Sequence, residues 1–91
     1  MKSAQLLAIL AGTINQDQTR KQNRIEYTFA RNGVILINID TTEKVTGVEI
    51  RWPCWDRTAT SIANKLKQKI TNALKFRPVK ITELTINYYN W

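Results

Sequence analysis

No histidine occurs in these 91 residues, and the single cysteine is Cys54. Without histidine there is no Cys-His pair and no serine triad, since both need an imidazole base. One Cys and no His also exclude a standard zinc site, and no internal disulfide can form. Glycine is scarce at three residues and proline at two, so neither a phosphate-cradling glycine loop nor a low-complexity tract is present. Long apolar runs are missing as well. The longest, Ala4–Ala11, follows Lys2 like a short signal core, but a bilayer span needs about 20 apolar residues. It is read as core of a cytoplasmic protein that is not an enzyme and carries no cofactor. A nuclease-like pattern, Asp40 followed by Glu49-Ile50-Arg51, fails on spacing. The strand pairing expected below holds the two carboxylates more than about 13 Å apart.

The last absence is of acid. Between Asp56 and Glu83 stand Arg57, Lys65, Lys67, Lys69, Lys75, Arg77 and Lys80, with no Asp or Glu among them. The whole chain has 14 Lys+Arg against 7 Asp+Glu, so all of its net charge of +7 lies in that stretch. A one-sided field of this kind attracts polyanions, and nucleic acid is the commonest of them.

What is present predicts one small basic α+β domain over residues 1–91. The expected sheet is antiparallel, of four to five strands, with one long helix on one face in the order β-β-β-β-α-β. Ala4–Ile14 opens it as a buried strand, or alternatively as a helix capped by Ser3. Asn15–Asn23 has no apolar residue and reads as a solvated loop. Arg24–Ala30 alternates with Ile25, Tyr27 and Phe29 on one side, and Val34–Ile39 follows after Asn32-Gly33. A three-residue loop, Arg31 to a left-handed Gly33, is expected to pair Phe29, Tyr27 and Ile25 with Ile35, Ile37 and Ile39. Val45–Trp52 makes the next strand, with Val48, Ile50 and Trp52 facing in, and Pro53 breaks it. Asp56 or Thr58 caps a helix over Thr58–Phe76, whose stripe is Ala59, Ile62, Ala63, Leu66, Ile70, Ala73 and Leu74. Pro78 stops it, and Ile81–Trp91 is a last strand.

On that helix Lys65 and Lys69 fall along one edge of the stripe, Lys67 along the other, and Lys75 points away. Lysines flanking a stripe are also what snorkelling produces. The expected function is non-catalytic nucleic-acid binding to the phosphate backbone through Lys65, Lys69, Lys75, Arg77 and Lys80. Arg20, Lys21 and Arg24 are auxiliaries on a loop. Trp55, Tyr89 and Trp91 are candidates for base stacking or for an interface. The alternative is a protein-interaction or homodimerising module using the C-terminal edge strand, its charge serving an acidic partner or solubility.

Overall fold

Three strands with period-two alternation must lay one apolar face against something, and they do. In the computed structural model, which describes residues 1–15 and 17–86, the order is α1 (Ser3–Leu10), β1 (Gln18–Lys21), β2 (Arg24–Phe29), β3 (Gly33–Ile39), β4 (Val45–Pro53), α2 (Arg57–Ala73) and β5 (Lys80–Ile86). The strands form one sheet in sequence order, β1-β2-β3-β4-β5. Its inner face buries Ile25, Tyr27, Phe29, Ile35, Ile37, Ile39, Val48, Ile50 and Trp52. Against these pack Leu6 and Leu10 of α1 and Ala59, Ala63, Leu66 and Ile70 of α2, with Leu74 just beyond the helix end. The α+β expectation holds, and the helix before the last strand is where it was placed.

Three elements differ in type or pairing from what the sequence predicts. The sheet is mixed: β1 to β4 pair antiparallel, but β5 pairs parallel to β4, from Gly47↔Lys80 to Pro53↔Ile86. Helix length explains this. Seventeen residues span about 25 Å, close to the length of nine-residue β4, so α2 returns the chain to the start of β4. The N-terminal segment is a helix, not a strand. Its Ala, Leu and Gln residues are good helix formers, and Leu6 and Leu10, four apart, bury completely while Ile9 stays 40% exposed. Gln5 Oε1 accepts the Lys2 amide at 3.0 Å, and the helix closes on left-handed Gly12, φ 88°. Finally, Gln18–Lys21, expected as loop, is a short exposed edge strand joined to β2 by a two-residue turn. Backbone pairing holds it there, with the Tyr27 hydroxyl donating to Gln18 Oε1 at 2.9 Å.

The β2–β3 hairpin keeps the expected inner face but shifts by two residues. Phe29 pairs with Gly33, Tyr27 with Ile35 and Ile25 with Ile37. The loop is therefore Ala30-Arg31-Asn32, and the left-handed residue is Ala30, φ 51°, not Gly33. Gly33 is required for space instead: a Cβ there would lie 2.3 Å from the Phe29 ring, which crosses directly over it. A further irregularity pairs Ile39 with Val45 and Asn38 with Gly47, leaving Thr46 as the extra residue of a bulge. Asp56 caps α2 through Oδ1, which accepts the Ala59 amide at 2.9 Å. Its Oδ2 accepts from Asn32 Nδ2 at 3.0 Å, tying the hairpin tip to the helix start.

Candidate nucleic-acid interface

Strand parity separates the cations into two sets on opposite sides of the molecule. Lys21, Arg24 and Lys80 lie on the outer sheet face, the side away from both helices, because their partners across the ladder share that face: Lys21↔Arg24↔Asn38↔Gly47↔Lys80. A shallow cleft of about 440 Å³ crosses the strands here, lined by Arg24, Leu36, Asn38, Gly47, Arg51 and Lys80. Acid accompanies this set. Arg24 pairs with Glu26 at 3.1 Å and Arg51 Nε donates to Glu49 at 2.6 Å, and their stems help cover Leu36, only 4% exposed. Arg20 has the opposite parity and is engaged by Glu43 beside α1. The Arg20-Lys21-Arg24 cluster expected from the sequence is thus divided, and Lys80 is not continuous with the helix lysines.

The helix side is different. Lys65, Lys69, Lys75 and Arg77 are all exposed, and none is in an ion pair among the described residues. Lys67, on the other edge of α2, reaches Glu83 of β5 at 3.1 Å. Lys69 Nζ donates to Thr13 Oγ1 at 2.8 Å, which places the Lys65–Lys69 edge toward α1. No acidic residue occurs within α2 to offset these charges. Lys65 and Lys69, four residues apart, thus share one edge of α2, and Lys75 and Arg77 stand at its exit.

At that exit stands an aromatic outside the expected stacking set of Trp55, Tyr89 and Trp91. Phe76 is 91% exposed, the most exposed of the large apolar side chains among the described residues. Lys75 Nζ lies 5.5 Å from its ring centroid and Arg77 follows it in the chain. The backbone that presents it is fixed: the Arg77 amide donates to Leu74 O at 3.0 Å and the Val79 amide to Arg77 O at 2.8 Å, while Leu74 is buried. A cleft of about 340 Å³ between this exit and the 40–44 turn is lined by Asp40, Lys44, Phe76 and Arg77. Placing Phe76 within a continuous helix hid it, because α2 ends at Ala73 and the turn swings the ring outward. Trp55 is half-exposed just before α2; Tyr89 and Trp91 lie outside the described residues.

The acids near these elements have structural work. Asp40 closes the 40–44 turn through the Thr42 hydroxyl and the Thr42 and Lys44 amides, bonds that hold its carboxyl below its ordinary value. Asp56 is lowered in the same way, first by the Ala59 amide and then by Asn32. Burial pushes the Tyr27 phenol up. Among the described residues no three His, Cys, Asp or Glu side chains gather as metal ligands, and Cys54 is exposed. No helix among them is long and apolar enough to cross a membrane. No protein-family model, curated protein or solved structure matches this chain, so its functional reading rests on the charge and geometry above.

Proposed function

We propose that this protein binds nucleic acid without catalysis, gripping the phosphate backbone with the α1-side edge of α2 and its exit turn: Lys65, Lys69, Lys75 and Arg77. The observation that carries the reading is that these four cations are exposed and, among the described residues, outside any ion pair, with no acid on α2 beside them. On the sheet face, by contrast, Arg24 and Arg51 are matched by Glu26 and Glu49, next to Lys21 and Lys80. Unmatched surface charge of one sign repels itself and is retained most readily where a polyanion neutralises it. Lysine acts as a point charge, so backbone contact with little base readout is the expected mode. Lys80, Lys21 and Arg24 become peripheral in this reading, and Arg20 drops out because Glu43 holds it. A cytoplasmic setting belongs to the same proposal.

The test is binding of labelled oligonucleotides over a salt series. With four phosphate contacts, log K falls against log[salt] with a slope of about −3 to −4. Replacing Lys65, Lys69 and Arg77 together by Ala, all at exposed positions, removes most of that slope and of the low-salt affinity. Absence of binding at low salt, or full binding by the triple variant, overturns the reading. A second reading is favoured by one observation: β5 is an edge strand whose Leu84 is 44% exposed, a surface on which a second copy or another protein adds a strand. A monomer at high concentration that captures no partner strand counts against it.

A further inference from the structure

The geometry points to a single-stranded ligand, with Phe76 as the platform on which one base stacks. This rests on the backbone reading above and adds what charge alone does not supply. Leaving a Phe in water forgoes about 1.5–3 kcal/mol of burial, and here the core is within reach: Leu74, two residues earlier, is 4% exposed. The turn from Leu74 to Val79 is held by two backbone hydrogen bonds, so the main chain presents Phe76 to solvent and away from the core. Lys75 sits over the ring at 5.5 Å, and an aromatic ring has two faces. The 91% exposure leaves a second face open to a base.

Around that open ring the cations are placed for the flanking phosphates. Lys75 and Arg77 adjoin it in sequence, Lys44 lies across the neighbouring cleft, and Lys69 and Lys65 continue away along α2. Among the described residues Asp40 is the one anion lining that cleft, and its Oδ1 is turned to Thr42 and the Lys44 amide. An aromatic face flanked by a basic track is the arrangement that holds single strands, because every base has a π-face and the backbone follows the charge. In a duplex the bases stack on one another and offer no free face to Phe76, so only the backbone contacts remain.

The experiment compares wild type, Phe76→Ala, Phe76→Leu and Phe76→Trp on a single strand and on the duplex of the same sequence. Stacking of one base makes Phe76→Ala weaken single-strand binding by about 5- to 150-fold. Duplex affinity stays within about two-fold, and the salt slope is unchanged because no phosphate contact is lost. Phe76→Leu falls with Ala, since an apolar side chain without a π-face cannot stack, and Phe76→Trp binds as well as wild type or better. Equal losses on both ligands, or a Leu variant that binds like wild type, overturn the stacking role while the backbone reading stands. So does a Phe76→Ala variant that loses self-association but keeps its affinity for single strands. Wild type that binds neither ligand at low salt overturns the backbone reading itself.

Discussion

Phe29 and Gly33 show how one residue's shape dictates another's identity. The Phe29 ring, fully buried, crosses over Gly33, where an added Cβ would come within 2.3 Å of a ring carbon. A core ring cannot swing aside as the end of a lysine can. Gly33→Ala is therefore expected to destabilise by about 1–3 kcal/mol, the usual range for overpacking. Phe29→Leu in the same chain should relieve the clash, so that the double variant is less destabilised than the two single losses added together. Chemical denaturation of the four proteins checks this; strict additivity would place the cost of Gly33→Ala elsewhere. The inner-face assignment of Ile25, Tyr27 and Phe29 was readable from period-two alternation alone. The role of Gly33 was not, because two registers that differ by two residues bury the same set of side chains. The fit of one ring over one glycine, and a left-handed turn at Ala30, belong to the observed register.

At the scale of elements, α2 was the most legible because both of its signals agree: a side-chain cap at Asp56 and a stripe from Ala59 to Leu74. Replacing the cap tests the start of that helix. Asp56→Ala loses the bond to the Ala59 amide and the tether to Asn32, and is expected to lower Tm at neutral pH by about 4–8 °C. The pH dependence has a definite sign. Folding lowers the Asp56 pKa below its ordinary 3.8, so the stabilisation is present above that value and fades as pH falls through the folded pKa. The gap in Tm between wild type and variant should hold from neutral pH to about pH 5 and narrow toward pH 3. A gap that is the same at both ends would mean the carboxylate charge contributes nothing. The helical α1 and the strand β1 were harder to read for opposite reasons. Ala4–Ile14 is apolar at nearly every position, so no period is visible, and Gln18–Lys21 has no apolar residue whose alternation could be seen. The parallel pairing of β5 follows from helix length, not from any residue in the strand.

For the molecule as a whole, the consequence of the fold is that a net charge of +7 is not spread evenly. The sequence shows where the excess lies along the chain, but strand parity decides where it lies in space. Lys80, eleven residues after Lys69, ends up behind the sheet, while Lys75 and Arg77 remain at the helix exit. Snorkelling also accounts for lysines beside an apolar stripe, and the two accounts diverge in what happens when each face is reversed in charge. Lys65→Glu with Lys69→Glu puts two acids on the proposed edge. Lys21→Glu with Lys80→Glu changes the net charge equally but on the sheet face. If phosphate binding is local to the helix edge, the first pair abolishes single-strand binding at moderate salt and the second lowers it only through the long-range field. That residual effect disappears once the Debye length falls to about 8 Å at physiological ionic strength. Equal losses from the two pairs at that salt would mean that affinity follows net charge and no face is selected. Both pairs lie at exposed positions, so matching far-UV spectra and Tm values show whether a loss of binding is a loss of fold. Since Glu26 and Glu49 already offset the sheet-face arginines, the helix edge is where reversal should matter most.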